Sequence, residues 1–189
     1  MGSMLARSAA EVGCSERTLR RHVNGGLLRG RRVVRGQLEL SHAESAYLRE
    51  HWALLSKLMT ALRTEREVRL AVLFGSTATG EDTSASDVDL LIVHRRPVWT
   101  TQVDLRIRLR RVLGIPVDVV LLEQAEAQPA LLADVLREGR VLIDRDDLWG
   151  SLLQRRDEIL AAGAHEDELI MARARATLTA ARERLAQAS

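Results

Sequence analysis

Two apolar runs that flank one polar loop constrain the fold of this 189-residue chain more than any other feature. The runs cover residues 69–74 and 90–93, and the ends of the loop between them are marked by Gly75, Ser76, Asp87 and Asp89. Short apolar runs bounded by turn residues are typical of buried strands. The pattern predicts a sheet whose rim carries a glycine-serine turn beside an acid pair, a combination that suggests a site for phosphate and metal.

The acid pair Asp87 and Asp89 predicts a cation at that rim. Alternate residues of a strand point to the same face, so the two carboxylates converge. At a separation of about 4 Å and an effective dielectric of about 20, two such charges repel by about 4 kcal/mol. Mg²⁺ takes carboxylate and phosphate oxygens and keeps waters, so the pair suits a metal-bound nucleoside triphosphate. The alternative is that the two acids only mark a turn leading into a strand.

A third acid, Asp118, lies inside the apolar run 115–122. A carboxylate among apolar side chains is costly unless it is paired or metal-bound, which predicts that Asp118 joins the acid pair. The alternative is an acid at the edge of a strand. At the turn, Gly75 would let the backbone approach a triphosphate closely, and the hydroxyl and amide of Ser76 would donate to its oxygens.

The composition indicates an ordinary globular protein, with 46% hydrophobic and 29% charged residues. No apolar run approaches the roughly 20 residues that cross a bilayer, so we expect a cytoplasmic protein without a membrane partner. Cys14 is the only cysteine, which excludes an internal disulfide and fits a reducing compartment.

The N-terminal segment is strongly basic, which points to a polyanionic partner. Between residues 4 and 40 there are three glutamates and eight arginines, namely Arg7, Arg17, Arg20, Arg21, Arg29, Arg31, Arg32 and Arg35. Residues 8–12 and 15–23 predict two short helices around a tight turn, each with its first residue, a serine, as N-cap. Two short β-prone runs around Gly36 then predict a hairpin.

Over residues 5–48 this pattern resembles the winged helix-turn-helix of MerR-type regulators and excisionases. The resemblance implies that the helix over residues 15–23 enters the major groove and that the hairpin lies against the sugar-phosphate backbone. The implied DNA contacts are Arg17, Arg20, Arg21, Arg31, Arg32 and Arg35. The alternative is a small helical domain whose arginines are solvated or dock a protein.

A long amphipathic helix, capped by Ser41, is predicted from His42 to about Arg66. Its apolar stripe fits one continuous rod or two helices in tandem. In MerR-like proteins the helix after the wing often forms the dimer, so a homodimer through this segment is one expectation. The other is that the stripe packs on the chain's own domains.

From about residue 54 to residue 148 the chain resembles the minimal nucleotidyltransferases of the DNA polymerase β-like superfamily. The matching residues are Gly75-Ser76, then Asp87-Val88-Asp89 after ten residues, and Asp118 on a later strand. The resemblance implies that Gly75 and Ser76 bind nucleotide and that the three acids are catalytic and hold two Mg²⁺ ions. The implied reaction is in-line transfer of a nucleoside monophosphate, AMP from ATP, to an acceptor hydroxyl.

Minimal nucleotidyltransferases with this signature commonly act as antitoxins that adenylylate a HEPN-type ribonuclease encoded beside them, so the resemblance implies such a toxin as partner. The basic domain in front would let the protein also bind DNA at its own promoter. Two alternatives remain open. One is transfer of AMP to a small molecule such as an aminoglycoside, and the other is a transcriptional regulator whose nucleotidyltransferase domain only senses nucleotide.

The sequence thus predicts an α/β fold of the α+β kind, with a small mixed sheet, a winged helix-turn-helix in front and helices behind. The expected divisions are residues 4–48 for the DNA-binding domain, 49–66 for the connecting helix, 67–146 for the nucleotidyltransferase domain and 147–189 for the C-terminal helical segment.

Two further helical expectations concern the surface and the C-terminus. The amphipathic helix over residues 101–113 should carry its arginines, Arg106, Arg108, Arg110 and Arg111, on a solvated face. Residues 147–161 and 166–186 should form two helices that residues 162–165 interrupt.

Overall fold

The computed structural model describes residues 3–33, 38–83, 85–96 and 99–187. The helices are α1 (Met4–Glu11), α2 (Glu16–Asn24), α3 (His42–Thr64), α4 (Gly75–Thr79), α5 (Trp99–Leu113), α6 (Leu122–Glu126), α7 (Pro129–Glu138), α8 (Leu148–Gln154) and α9 (Arg156–Gln187). The strands are β1 (Gly30–Arg32), β2 (Leu38–Leu40), β3 (Val68–Phe74), β4 (Val88–His94), β5 (Val117–Leu121) and β6 (Arg140–Asp144).

Four strands form a mixed sheet in the spatial order β5-β4-β3-β6. β3 runs antiparallel to both β4 and β6, whereas β4 and β5 are parallel. A parallel pair needs a crossover connection, which α5 supplies between β4 and β5. The predicted α/β fold with a small mixed sheet is therefore confirmed.

The sheet is buried on both faces because apolar side chains of β3 point to both sides. Val68 and Leu73 belong to a cluster that also contains side chains of α3 and α5, while Leu70, Val72 and Phe74 belong to a second cluster with α7 and α9. The sheet is thus the middle layer of three. At one rim of this layer, the end of β3 meets the beginnings of β4 and β5.

The residues before α3 form what we call the N-terminal unit, residues 3–33 and 38–40 as described. It consists of two short helices, α1 and α2, followed by the antiparallel pair β1 and β2, in which Gly30 lies opposite Leu40. Its buried leucines, Leu5, Leu19, Leu27, Leu28 and Leu40, belong to the same cluster as α3 and β3. The amide of Val141 in β6 also donates to the carbonyl of Gly26 at 3.1 Å. One core therefore continues from the N-terminal unit to the sheet.

The first helix begins earlier than the sequence predicts, and its cap is a different serine. Ser3 accepts from the amide of Ala6 at 3.1 Å and caps α1, so the prediction of Ser8 as N-cap is wrong. Ser8 is buried in the helix, and its hydroxyl donates to Oγ of Ser45 on α3 at 3.0 Å. This tertiary contact satisfies a side chain that local rules would place at a helix end.

The caps of the next two helices agree with the sequence. Ser15 accepts from the amide of Thr18 at 3.0 Å, and Ser41 accepts from the amide of Glu44 at 3.0 Å. α3 is one continuous helix of 23 residues whose apolar stripe packs on the chain's own core. Homodimerisation through α3 stays a prediction. The centre of the predicted hairpin, residues 34–37, lies outside the described residues.

The C-terminal helices are divided at a different point from the predicted one. The break lies at Arg155 between α8 and α9, and α9 continues through residues 162–165, so the predicted interruption there is wrong. Gly163 allows α9 to approach α7, because a Cβ at this position would lie 2.5 Å from Cβ of Ala133. The glycine that reads as a helix stop is thus a packing contact.

No helix in the described ranges is both long and apolar enough to cross a membrane.

Candidate active site

The structure brings two of the three predicted acids into direct register at the rim of the sheet. Asp89 on β4 lies opposite Phe74, the last residue of β3, and in parallel register with Asp118 on β5. Neighbouring strands are about 4.8 Å apart, so the two acidic residues are adjacent. Asp87 is exposed and lies one residue before β4 begins. All three acids therefore belong to one rim.

The surroundings of Asp118 differ from the expectation. Its side chain is 55% exposed, and the buried residues of β5 are its neighbours Val117 and Val119. Alternation along β5 turns Asp118 to the face opposite the buried Val117 and Val119, and because β5 is an edge strand, Asp118 has a neighbouring strand on one side only. The expectation of an acid enclosed by apolar side chains is wrong, whereas the role of Asp118 in the site stays a prediction.

Gly75 makes room for Asp89. Its backbone is left-handed, with φ of +71°, and a Cβ placed on it would lie 2.5 Å from Oδ2 of Asp89. Only glycine adopts this conformation without strain and also leaves space for the carboxylate. The sequence predicts that Gly75 makes room for a triphosphate, and it carries no local signal for this contact with Asp89.

Charge accumulates at the rim. Burial raises the pKa of Asp89, and the negative charges of Asp118 and Asp87 raise it further. Nη1 of Arg106 on α5 lies 3.3 Å from Oδ1 of Asp118 and offsets part of this charge. A cation bound beside Asp89 would offset the rest.

The acids do not make a metal cage by themselves. In the described part of the chain, no group of three or more histidine, cysteine, aspartate or glutamate side chains is arranged to hold a metal ion. Mg²⁺ usually takes one or two carboxylates and completes its shell with waters and substrate phosphates. The adjacent acids Asp89 and Asp118 fit that smaller donor set.

The short helix α4, which follows the glycine-serine turn, is held by side chains that the sequence reasoning did not single out. Oη of Tyr47 donates to the carbonyl of Thr77 at 3.1 Å, and Nε of Arg140 donates to the carbonyl of Ala78 at 2.6 Å. Thr77 in turn donates through Oγ1 to the carbonyl of Asp87 at 3.3 Å. The local signal for this arrangement is the arginine at the start of the otherwise apolar run 140–143.

The predicted DNA-contacting residues of α2 share one exposed face. Leu19 and His22 point into the core, and the exposed side chains lie within a sector of about 100° on the opposite side. These exposed side chains are Arg17, Arg20, Arg21 and Asn24. Nη2 of Arg20 lies 2.6 Å from Oε1 of Glu16, so this arginine already has a partner on the same face.

The arginines of the hairpin are only partly described. Arg31 and Arg32 on β1 are exposed, and Arg31 lies 3.9 Å from Glu39 across the strand pair. Arg35 lies outside the described residues.

The arginines of α5 lie on the solvated face that the sequence predicts. Besides the pairing of Arg106 with Asp118, Arg108 donates two hydrogen bonds to the carboxylate of Glu65, at 2.8 and 2.9 Å. Arg110 and Arg111 are exposed as expected. All four arginines are exposed, so the expected solvated face is confirmed, and two of them also pair with acids of other elements.

Residues 56–148 match the family model described as polymerase beta, nucleotidyltransferase. The matched range contains the turn at Gly75, the three acids and all four strands of the sheet. None of the curated proteins matches the chain.

Several solved structures are similar to part of the chain. One is described as a toxin-antitoxin with AMP-PNP, with 21% identity and a TM-score of 0.45, over 66% of this chain and 95% of that one. Another is a tri-AMPylated Shewanella oneidensis HEPN toxin in complex with MNT antitoxin, with 19% identity and a TM-score of 0.43, over 68% and 96% of the two chains. These TM-scores are low, so the likenesses do not bear on the activity or partner of this chain.

Proposed function

We propose that this chain, whose residues 56–148 match the model of the polymerase beta nucleotidyltransferases, belongs to that family and transfers AMP from ATP to a hydroxyl group of a partner protein. One observation supports the proposal most directly. The Gly75 turn packs against Asp89, and Asp89 lies in parallel register with Asp118 at one rim of the sheet. A HEPN-type toxin is the partner that the sequence resemblance implies.

In the proposed reaction, the acceptor oxygen attacks the α-phosphorus of ATP in line with the bond to the leaving pyrophosphate. Gly75 and Ser76 bind the triphosphate, so that the α-phosphate lies beside Asp89. Asp118 accepts the proton of the acceptor hydroxyl. Its exposed position on the edge strand supports this role, because a protein-borne hydroxyl has to approach from outside the sheet.

Mg²⁺ is the metal that fits the donor set, with Asp89 and Asp118 as its ligands and Asp87 as a third acid at the same rim. When bound, it would neutralise negative charge on the phosphates and on the leaving group. The carboxylates of the chain set where the triphosphate lies, because they repel phosphate unless a cation is between them.

The transfer is tested with α-labelled ATP, Mg²⁺ and the protein encoded by the neighbouring gene as acceptor. Label should appear on that protein, and Asp89→Asn should reduce the rate by about a hundredfold or more. Asp104→Asn, at an exposed position on α5, is the matched control and should transfer normally. If the wild type binds ATP but labels no acceptor, nucleotide sensing replaces transfer as the function of the domain.

We further propose that the N-terminal unit is a winged helix-turn-helix that binds DNA at the protein's own promoter. The exposed arginine face of α2 and the exposed arginines of β1 support this proposal, because cations on a single face can neutralise several phosphates at once. Arg17, Arg20 and Arg21 would contact bases or phosphates, whereas Arg31, Arg32 and Arg35 would contact the backbone.

DNA binding is tested by a gel shift of promoter DNA over a range of salt concentrations. The double variant Arg17→Ala, Arg20→Ala should weaken binding, and the slope of log affinity against log salt should fall by about 0.9 for each phosphate contact that is lost. Arg137→Ala, an exposed arginine on α7, is the control. An unchanged shift with the double variant would exclude α2 as the DNA-binding helix.

A further inference from the structure

The N-terminal half of α3 lies directly against α4, the helix that begins at Gly75. Tyr47 and Thr77 are 5% and 2% exposed, so the 3.1 Å hydrogen bond from Oη of Tyr47 to the carbonyl of Thr77 is shielded from water. Burial raises the pKa of Tyr47 to about 12, so the hydroxyl keeps the proton that it donates at neutral pH. A shielded hydrogen bond of this kind keeps the carbonyl in one place.

A buried ion pair supports the same helix. Arg140 and Glu44 are 2% and 4% exposed, and Nη1 and Nη2 of Arg140 donate to the two carboxylate oxygens of Glu44 at 2.6 and 3.1 Å. Nε of Arg140 remains available for the carbonyl of Ala78, which it reaches at 2.6 Å. The guanidinium also lies over the ring of Tyr47, 3.5 Å from its centroid. The two donors to α4 therefore hold each other in position.

The chain that leaves α4 is held from the same side. The ring of His51, one turn after Tyr47 on α3, stacks on the Tyr47 ring with 4.3 Å between centroids. Nε2 of His51 lies 2.8 Å from Oδ1 of Asp82, in the loop between α4 and the acid pair. Gly80 packs closely against Tyr47, because a Cβ at position 80 would lie 3.2 Å from a carbon of the Tyr47 ring.

We propose that Tyr47, Arg140 and Glu44 are positioning residues for the nucleotide, because they hold the carbonyls of Thr77 and Ala78 and thereby the turn at Gly75 and Ser76 on which ATP is placed. This inference rests on the proposed function. It makes residues that precede the nucleotidyltransferase domain part of its nucleotide site.

The same network reaches the N-terminal unit. Glu44 accepts a hydrogen bond from the amide of Arg29 at 2.9 Å, and Arg140 donates one to the carbonyl of Leu27 at 3.2 Å.

Tyr47→Phe removes the hydroxyl but keeps the aromatic ring on which Arg140 and His51 pack. Loss of one shielded hydrogen bond to the turn should raise the Kd for ATP, measured with Mg²⁺ by titration calorimetry, by about fivefold. KM for ATP should rise by the same factor with kcat nearly unchanged, because the acids that act on the α-phosphate stay in the sheet. The amides of Gly80 and Glu81, which both donate to the carbonyl of Ser76, should exchange their hydrogens faster.

Trp52→Phe is the matched control, because it also shrinks an aromatic side chain of α3, and the ring of Trp52 packs edge-on against His22 of α2. It should leave the Kd for ATP and the exchange of both amides unchanged. Equal Kd values for the wild type and Tyr47→Phe, with equal amide exchange, would overturn the positioning role. A wild type that binds ATP and transfers nothing would overturn the proposed transfer alone, and the Kd comparison would still decide the positioning role.

Discussion

At the scale of single residues, the most informative feature is an arginine without access to water. Arg140 is 2% exposed, and all three of its donor nitrogens have acceptors among Glu44, Ala78 and Leu27. A buried charge is tolerated only when it is paired and hydrogen-bonded. The position of Glu44 on α3 is therefore coupled to that of β6, where Arg140 begins the strand.

Removing Glu44 should destabilise the whole fold. Glu44→Ala leaves Arg140 charged and buried without its anion, which typically costs about 3–5 kcal/mol. Urea unfolding followed by circular dichroism measures this loss. Glu50→Ala, at an exposed position of the same helix, should change the free energy of unfolding by no more than about 0.5 kcal/mol. Equal effects of the two substitutions would show that the ion pair is not needed for stability.

His22 should make stability depend on pH. Burial, together with the positive charges of Arg21 and Arg63, lowers the pKa of His22 to about 4, whereas an unfolded histidine titrates near 6.5. The unfolded state therefore binds the extra proton first. The stability contributed by neutral His22 is fully present above about pH 6.5 and is lost as the pH falls towards 4.

The measurement compares urea midpoints at pH 7.5 and pH 4.5. The wild type should lose more stability between these values than His22→Leu, which has no group to titrate at this position. His165→Leu, an exposed histidine on α9, should keep the wild-type pH dependence. If His22→Leu loses as much stability on acidification as the wild type, the burial of a neutral His22 is not the cause.

At the scale of elements, the site is produced by register. The antiparallel pairing of β3 with β4 puts Asp89 next to the end of β3, and the parallel pairing of β4 with β5 puts Asp118 next to Asp89. A shift of either pairing by one residue would turn the acid to the other face of the sheet. The junction of β3 and α4 has to leave room for Asp89, and Gly75 provides it.

Substitution of Gly75 should abolish the proposed activity rather than the fold. In Gly75→Ala the new Cβ would lie 2.5 Å from the carboxylate of Asp89, so either the acid or the turn has to move. Gly114→Ala is a matched control, because Gly114 has a similar φ of +76° but nothing within 4 Å of a new Cβ. Both variants should lose about 1 kcal/mol of stability from backbone strain, and only Gly75→Ala should lose AMP transfer. Normal transfer by Gly75→Ala would contradict the close packing of the turn on Asp89.

At the scale of the whole molecule, the N-terminal unit is part of the same hydrophobic core as the sheet. Its leucines share a core with α3 and β3, and its backbone is bonded to β6 through Gly26 and Val141. By contrast, the side chains of residues 167–179 on α9 are exposed along their whole length. Stability should therefore depend strongly on one end of the chain and weakly on the other.

Two truncations test this asymmetry. A fragment of residues 49–189 lacks Glu44, Tyr47 and the leucines of the N-terminal unit, so it should not unfold cooperatively, because its core is exposed and Arg140 is unpaired. A fragment of residues 1–168 should unfold within about 0.5 kcal/mol of the full chain. Differential scanning calorimetry measures both. A fragment 49–189 as stable as the full chain would contradict a shared core.

The secondary-structure elements that the sequence predicts correctly are those with local sequence signals. Alternating and continuous apolar runs located β3, β4 and β5, and the serine caps located the starts of α2 and α3, because these patterns arise within a few residues. The order of Gly75, Asp87, Asp89 and Asp118 along the chain likewise predicts a nucleotidyltransferase site.

Tertiary structure decided the rest, because the contacts involved join residues far apart in sequence. Arg140 reaches Ala78, Glu44 and Leu27 across 62, 96 and 113 positions, and no local pattern specifies such pairs. The same holds for the exposure of Asp118, which depends on β5 being an edge strand, and for Gly163, which is a contact with α7 rather than a helix stop. The sequence determines the type and order of the side chains. Their burial and their pairing are determined only when the layers of the fold pack together.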